Sequence, residues 1–319
     1  MSELINDQAL EERANKLELR QADILAFLQI VSEKGMIKNQ ELVMLTGLPK
    51  THLGRLLNSY ASILEPPSEN VVLKTDVSEV LEAYLKDAPE SRAELELYES
   101  MISLLDNYRD DRPEPNRHYD QFTATLDTSV RRALRMRQEG DLRGRDVLFL
   151  GDNDLTSVTT ALLREANSVT VLEIDERIIA LINKISEDNG LSINIVQRDL
   201  RETLLKEHKA KYDVVFTDPP YTESGIGLFV NQGIKSLRPK LSSRIYVCYG
   251  NSIRAREREL RIQNLFIGKG LLMHSVLFQF NKYYEAQSIG SSSSLYSLDW
   301  TPKTKPEKKT PELKYTNQR

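Results

Sequence analysis

The sequence predicts a two-part α/β protein, in which a small helical domain precedes a doubly wound, Rossmann-like sheet. Three observations predict this fold class. From Arg145 onward, short apolar β-branched runs alternate with helical segments, which is typical of a parallel sheet covered on both faces. The apolar run 148–150 leads through Gly151 into a helical segment, as in nucleotide-binding turns. Residues 18–85 have the apolar periods of several short helices.

The predicted organisation has five parts, which are an N-terminal segment (1–17), a winged-helix-like domain (18–85), a helical linker (86–117), a Rossmann-like domain (118–300) and a disordered basic tail (301–319). The tail prediction depends on six Lys or Arg and three Pro among very few apolar residues.

The N-terminal domain combines three predicted helices with a β wing at 63–74, the order of a winged helix-turn-helix. Its third helix, 50–60, carries few cations, and strong phosphate contact requires several. We therefore expect a structural role and consider nucleic-acid binding unfavourable. The apolar stripe of Leu53, Leu56 and Leu57 on this helix favours a partner surface, so we expect a homodimer.

The sheet domain is predicted from strands at 146–150, 169–174, 193–198, 212–217, 244–249 and 271–280, and from helices at 156–166, 177–189 and 226–237.

Composition excludes several classes of protein. A net charge of −4 gives no global basic field for nucleic acid. The single cysteine, Cys248, excludes an internal disulfide and a cysteine-rich metal site, and its apolar setting indicates a buried residue. No apolar stretch is long enough to span a membrane and the first residues do not form a signal peptide, so we expect a cytoplasmic protein.

An acidic turn follows the first predicted sheet strand, in Gly151-Asp152-Asn153-Asp154. Backbone amides at such a turn normally receive an anionic or nucleotide ligand. Two carboxylates here disfavour an anion and favour a cation. We therefore expect Gly151, Asp152 and Asp154 to contact a cationic nucleoside.

Two further acids end the next two strands. Glu173 lies 22 residues after Gly151, close to the spacing at which an acid binds ribose hydroxyls. Asp199 follows the third strand, where it is expected to face the adenine amino group, with a helix cap as the alternative interpretation.

The fourth strand ends in Asp218-Pro219-Pro220-Tyr221. The two prolines fix φ and remove backbone donors, so the Asp218 carboxylate and the Pro219 carbonyl point rigidly toward the cleft. Tyr221 offers a ring face to a cation or a planar amine. The segment predicts a site that holds and deprotonates an amine, with Asp218 as general base.

Six segments carry a resemblance to one family, namely 118–123, 130–132, 148–157, 173–177, 198–200 and 216–226. They resemble the branched-chain polyamine synthases, the N4-bis(aminopropyl)spermidine synthases, over roughly residues 90–298. The family's Asp-Pro-Pro-Tyr-Thr motif is matched in full by residues 218–222. Its turn motif, Gly-Asp-Asp-Asp-Leu-Thr-Ser, has Asn153 in the middle here, and its acid near Ser294 is missing.

The resemblance implies a fold like that of AdoMet methyltransferases and spermidine synthases. It implies decarboxylated S-adenosylmethionine as co-substrate, a polyamine such as spermidine as acceptor, and branched polyamine and methylthioadenosine as products, without a permanent cofactor or metal. The residues assigned to catalysis are Asp218, Asp154 and Tyr221. Those assigned to the nucleoside are Gly151, Asp152, Asp154, Glu173, Asp199 and Pro219. Those assigned to the polyamine are Asp120, Asp152, Asp218, Tyr221 and Glu223.

Selection of the donor has a physical basis, because AdoMet carries a carboxylate that the decarboxylated form lacks. A like-charge contact near 4 Å costs about 4 kcal/mol at an effective dielectric of about 20. On this argument Asp152 and Asp154 exclude AdoMet. Two alternatives stay open, an AdoMet-dependent amino-group methyltransferase and, in another class, a winged-helix regulator that senses a nucleoside. An intact DPPY segment disfavours the regulator, and the acidic turn disfavours the methyltransferase.

Overall fold

The structure is a computed structural model. It describes residues 5–19, 21–46, 48, 50–66, 68–85, 91–119, 121–250, 256–284 and 292–307. The chain divides into two compact units, Met1–Glu96 and Leu97–Arg319. Within the described ranges no helix is long and apolar enough to cross a bilayer.

The first unit contains α1 (Asp7–Leu17), α2 (Gln21–Lys34), β1 (Met36–Lys38), α3 (Asn39–Thr46), α4 (Lys50–Ser59), β2 (Asn70–Val72) and α5 (Ser78–Leu85). Strands β1 and β2 pair antiparallel. This order agrees with the expected winged-helix arrangement, which stays a prediction.

Two expectations for this unit need correction. The segment 1–17 is not separate from the domain, because α1 buries Leu10 and Ala14 in the same core as Phe27. The apolar stripe of α4 also packs inside the unit, where Leu53 and Leu56 are buried. The stripe therefore gives no reason to invoke a partner.

Helix α6 (Ser91–Asp106) crosses the boundary between the units. The second unit continues with α7 (Leu126–Gln138), β3 (Asp146–Leu150), α8 (Thr156–Leu162), β4 (Ser168–Glu173), α9 (Glu176–Asn189), β5 (Ile193–Gln197), β6 (Val214–Thr217), α10 (Glu223–Ser236), β7 (Arg244–Gly250), α11 (Arg256–Gly268), β8 (Leu272–Lys282) and β9 (Ser292–Asp299).

The sheet of this unit has seven strands in the order β5-β4-β3-β6-β7-β9-β8. Strands β3 to β7 are parallel, which confirms the predicted doubly wound core. Strand β9 runs antiparallel between β7 and β8. Along the chain, β3 to β5 extend the sheet toward one edge, whereas the strands from β6 onward extend it toward the other. The carboxyl ends of β3 and β6 therefore flank the switch point, the place at which open α/β sheets bind ligands.

Helices cover both faces of this sheet, as the apolar runs predict. On β3, Val147 and Phe149 pack with α7 to α9, while Leu148 and Leu150 pack with α10 and α11. Successive strand residues point to opposite faces, so the five residues of β3 contribute side chains to the hydrophobic cores on both faces of the sheet. These cores hold the carboxyl ends of the strands in fixed positions.

Four features differ from the sequence prediction. Helix α11 and strand β9 were not predicted. The predicted linker, 86–117, contributes Met101 and Leu105 to the core of the second unit. The predicted disordered tail starts too early, because Thr304 is buried and the Glu307 amide donates to Asn231 Oδ1 at 2.6 Å. Residues 308–319 lie outside the described ranges.

Candidate active site

One cavity at the carboxyl ends of β3, β4 and β6 joins the two predicted motifs. It encloses about 800 Å3 of empty space, part of which is open to solvent. Gly151 and Glu173 line it together with Asp218 and Tyr221. The other polar or aromatic residues that line it include Tyr119, Gln121, Phe122, Asn153, Arg198, Phe229, Tyr283 and Ser292.

The turn after β3 favours glycine because of its backbone conformation. Gly151 has a φ of +69°, the left-handed region that disfavours residues with a Cβ. The residue lies against Phe229 and Glu173 at the cavity wall. The Gly151 amide donates to Leu172 O at 2.9 Å, which fixes the turn against β4.

Asp152 does not line this cavity. Its carboxylate accepts the Thr156 amide at 2.8 Å and the Ser157 amide at 2.9 Å, so it caps the beginning of α8. The side chain is buried, and burial raises its pKa to about 7. This geometry argues against the predicted contacts of Asp152 with the nucleoside and the polyamine, because the carboxylate faces the helix.

Asp154 is also buried and is likewise turned away from the cavity. Its Oδ1 accepts the Ala124 amide at 2.8 Å, and its Oδ2 lies 2.7 Å from Arg132 Nη1. Arg112 Nη2 lies 3.8 Å from Oδ1. Two cations thus offset the charge of Asp154, so the predicted direct exclusion of AdoMet by this carboxylate lacks geometric support.

Asn153, between these two acids, does line the cavity. Its Nδ2 donates to Phe122 O at 2.8 Å and, at 3.3 Å, to Asp154 Oδ1. A carboxylate cannot make these donations. The amide therefore connects the turn to the 122 segment, which also lines the cavity.

Glu173 ends β4 and lines the cavity, and its predicted ribose contact stays a prediction. Its Oε1 accepts the amides of Ile174 and Asp175 at 2.7 and 2.9 Å, and its Oε2 accepts the Asp152 amide at 2.8 Å. A carboxylate has about four acceptor sites, so roughly one remains at Oε2. Burial raises the pKa of Glu173, while the three amides oppose that rise.

Asp199 lies apart from the cavity wall, although its neighbours Arg198 and Leu200 line it. Its carboxylate binds Arg201 Nε at 2.9 and 3.0 Å, and Nη2 of the same guanidinium at 2.6 Å. It also accepts the Arg201 amide at 2.9 Å. The local turn therefore engages this acid, and its predicted adenine contact stays untested.

Asp218 is the centre of a buried hydrogen-bond network and is itself partly accessible, with a side chain 14% exposed. Its Oδ2 accepts from Arg132 Nη2 at 2.6 Å and from the Tyr283 hydroxyl at 2.7 Å. Its Oδ1 accepts from the Tyr221 hydroxyl at 3.0 Å. Burial raises the pKa of Asp218 and Arg132 opposes that rise, so the guanidinium favours the ionised carboxylate.

Tyr221 is held by aromatic packing as well as by its hydroxyl. Its ring meets that of Tyr249 edge-on, with centroids 5.5 Å apart. A Cβ on Gly250 would lie 3.2 Å from the Tyr221 ring, so glycine allows this close approach. Pro219 and Pro220 line the cavity beside it, as the rigid Asp-Pro-Pro turn predicts.

The remaining predicted residues have different positions. Glu223 begins α10 and lines a separate, more open cavity, where its exposed carboxylate lies 3.8 Å from Arg261 Nε. Its predicted polyamine contact would therefore be made outside the central cavity. Asp120 lies outside the described residues. The described part of the chain contains no group of acids, His and Cys that could hold a metal ion.

Sequence reasoning missed two central residues, Arg132 and Tyr283. Arg132 is fully buried on α7 and joins Asp154 to Asp218, while its Nε donates to Asn281 Oδ1 at 2.8 Å. The one sequence signal for Arg132 was its place in segment 130–132, which resembles the family. Tyr283, just after β8, carried no signal because only the antiparallel end of the sheet brings it to Asp218.

This geometry defines a class of protein: a doubly wound α/β fold in which the glycine turn after β3 and the carboxylate that ends β6 line one cavity. The family described as branched-chain polyamine synthase A C-terminal domain matches residues 101–318. Because the match covers more than half of the chain, the protein belongs to the branched-chain polyamine synthase family.

Individual relatives agree with this assignment. The chain is 37% identical over 194 residues to an uncharacterized protein of Methanocaldococcus jannaschii, a match that covers 61% of this chain and 48% of the relative. It is 33% identical over 193 residues to the N(4)-bis(aminopropyl)spermidine synthase of Thermococcus kodakarensis, covering 60% and 54%. The matched region thus spans about half the length of these relatives.

The fold is also similar to a solved structure. The branched-chain polyamine synthase of Thermus thermophilus, in complex with N4-aminopropylspermidine and 5'-methylthioadenosine, matches with a TM-score of 0.61 and 22% identity, covering 98% of each chain. This likeness shows the fold.

Proposed function

We propose that this protein transfers an aminopropyl group from decarboxylated S-adenosylmethionine to an amine of a polyamine such as spermidine, giving a branched polyamine and methylthioadenosine. One observation carries the proposal, which is that the nucleoside-type turn and Asp218 open into the same cavity. The relative from Thermococcus kodakarensis is named for this type of reaction. The Thermus relative was solved with an aminopropylated spermidine and methylthioadenosine.

In the proposed reaction the acceptor amine first loses a proton. An amine with a lysine-like pKa of about 10.4 is almost entirely protonated at pH 7, so a base is needed. Asp218 takes this proton. The neutral nitrogen then attacks the carbon next to the sulfonium, the C–N bond forms, and the C–S electron pair passes to sulfur. One proton is released overall for each transfer.

The donor site in this proposal lies at Gly151 and Glu173, with Glu173 Oε2 as acceptor for one ribose hydroxyl. The acceptor amine lies next to Asp218 and Tyr221. Selection against AdoMet then depends on the carboxylates that line the cavity, Glu173 and Asp218, since Asp152 and Asp154 are engaged elsewhere. The co-substrate turns over with each reaction, so no permanent cofactor is proposed.

Two measurements test this proposal. Decarboxylated AdoMet should raise the melting temperature more than AdoMet does at equal concentration, whereas a larger shift with AdoMet would favour the methyltransferase alternative. Asp218→Asn should keep donor binding and lose about 10²-fold or more in turnover, the range for a lost general base. Wild-type turnover in that variant with saturating acceptor would remove Asp218 from this role.

We also propose a homodimer and a cytoplasmic location. The support for a dimer is now the edge strand β8, which leaves Leu272 and Phe278 57% and 65% exposed. Light scattering should give about twice the chain mass of 36.5 kDa. A monomer mass would refute the dimer.

A further inference from the structure

Tyr283 occupies a position in the network that no motif marks. It follows β8, lines the cavity and is 8% exposed. Its hydroxyl oxygen lies 2.7 Å from Asp218 Oδ2, 2.7 Å from the Tyr221 hydroxyl and 2.9 Å from Ser293 Oγ. It thus contacts both the carboxylate that is the proposed base and the tyrosine of the DPPY segment.

The Tyr221 hydroxyl has two acceptors within reach. Asp218 Oδ1 lies at 3.0 Å and the Tyr283 oxygen at 2.7 Å. A hydroxyl has one hydrogen, so it can donate fully to only one of them at a time. Asp218 Oδ1 can therefore lose the hydrogen bond from Tyr221 when it takes a proton, because the Tyr221 hydroxyl can donate to the Tyr283 oxygen instead.

We propose that Tyr283 is a positioning residue for the proton transfer of the proposed aminopropyl reaction. Its hydroxyl holds Asp218 Oδ2 and offers a second acceptor to the Tyr221 hydroxyl, so that Asp218 Oδ1 can receive the proton of the acceptor amine. The inference rests on the proposed function.

The step conserves hydrogen bonds. Before transfer, Tyr221 donates to Asp218 Oδ1 and Tyr283 donates to Oδ2. When the N–H bond of the acceptor ammonium breaks, its proton bonds to Oδ1 and its electron pair stays on nitrogen for the attack. The Tyr221 hydroxyl then turns to the Tyr283 oxygen, while Tyr283 still donates to Oδ2. No buried hydroxyl loses its partner, and such a loss is costly.

The charges around Asp218 are consistent with this arrangement. From α7 it faces Arg132, from the β3 turn Asp154, and from β7 the Cys248 thiol, in addition to the two tyrosines. Burial raises the pKa of both phenols well above the usual value, so they stay neutral donors. Neither phenol therefore competes with the Asp218 carboxylate as a proton acceptor.

The test compares Tyr283→Phe with Tyr284→Phe. Tyr284 is the adjacent tyrosine and is 52% exposed, so its variant is a matched control for the loss of one hydroxyl. We expect Tyr283→Phe to lower kcat about 10- to 10²-fold and to leave the donor KM unchanged. In the pH profile of kcat/KM for the acceptor, the midpoint of the acidic limb should shift to higher pH by about one unit, because the Asp218 carboxylate loses the Tyr283 hydroxyl, a donor that favours its ionised form. Tyr284→Phe should behave as the wild type.

The outcomes separate the two proposals. If the wild-type enzyme forms no aminopropylated product, the proposed function fails. If it forms product and Tyr283→Phe has the wild-type kcat and pH profile, only the role of Tyr283 is refuted. A titration of the 13C-labelled Asp218 carboxyl, assigned with Asp218→Asn, needs no turnover. Its midpoint should rise in Tyr283→Phe, and an unchanged midpoint would overturn the inference.

Discussion

Arg132 offers the strongest test of the buried network, because its guanidinium contacts both Asp154 and Asp218. Replacement by methionine keeps a long, flexible apolar side chain and removes the positive charge. The wild-type side chain is fully buried, with 2.7 and 2.6 Å contacts to the two carboxylates. The variant therefore leaves two buried acids without their shared cation.

The magnitude follows from that burial. Removal of one partner from a buried ion pair typically costs about 3–5 kcal/mol, because a buried charge is left uncompensated. For a unit of the size of Leu97–Arg319, each kcal/mol lowers the melting temperature by roughly 2–4 °C. We therefore expect Arg132→Met to melt roughly 6–20 °C below the wild type at pH 8. Differential scanning calorimetry measures this difference.

The difference should depend on pH with a defined sign. The folded-state pKa of Asp218 is already raised by burial, and Arg132 opposes the rise. Without Arg132 it rises further, so the folded variant binds a proton that the unfolded chain releases near pH 3.9. Its stability then falls as the pH rises from there through the folded-state pKa. The melting temperature of Arg132→Met should therefore lie closer to that of the wild type at pH 5 than at pH 8.

Arg131→Met is the matched control, because Arg131 is adjacent and half-exposed, with its Nη1 3.6 Å from Asp127 Oδ2. Exposed ion pairs of this kind contribute about 0–1 kcal/mol. If Arg132→Met melts no lower than Arg131→Met at pH 8, the reasoning about the buried network is refuted. If the melting-temperature difference between Arg132→Met and the wild type grew at low pH, the predicted link between stability and the titration of Asp218 would be refuted.

Two further predictions concern ligand contacts. Glu173→Gln should raise the donor KM about 10- to 100-fold, because a charge-assisted hydrogen bond of about 1.5–3 kcal/mol is lost, and should leave the acceptor KM unchanged. An effect on the acceptor KM alone would place Glu173 outside the nucleoside site. Asn153→Asp should lower the acceptor KM by up to about tenfold, because it adds a carboxylate to the cavity wall. It should also lower the melting temperature by about 2–4 °C, because the new carboxylate repels Asp154 and cannot donate to Phe122 O. An unchanged acceptor KM would show that this position has no role in acceptor recognition.

The parts of the fold predicted correctly are those in which local pattern and tertiary environment agree. Strands β3, β4, β6 and β7 are short apolar runs because both of their faces are buried. Strand β9 was missed because its first residues are serines, which are typical of loops, although its neighbours β7 and β8 pair with it on both sides. Helix α11 was missed because it is strongly charged and buries chiefly Ile262 and Phe266.

In the candidate site, residues on contiguous sequence segments were also easier to predict than residues that only the tertiary fold brings together. The structure brings Gly151, Glu173 and Asp218 to one cavity, as expected from segments in which a strand end and its turn are contiguous in sequence, while their ligand roles stay predictions. The partners of Asp218 were not predictable in this way, since Arg132 and Tyr283 lie on distant elements that only the folded sheet brings together. Asp152 was assigned to a ligand because an acid in a turn before a helix has the same pattern whether it binds a ligand or caps the helix.

The central claim is that one cavity transfers an aminopropyl group, and the mass of the product tests it most directly. The whole chain should be incubated with spermidine and either decarboxylated AdoMet or AdoMet, followed by mass spectrometry of the polyamine and nucleoside fractions. We expect gains of about 57 Da per transfer with the decarboxylated donor, and one methylthioadenosine for each transfer, since the transferred group comes from the co-substrate. A gain of about 14 Da with AdoMet, or donor consumption without any heavier polyamine, would contradict the proposal.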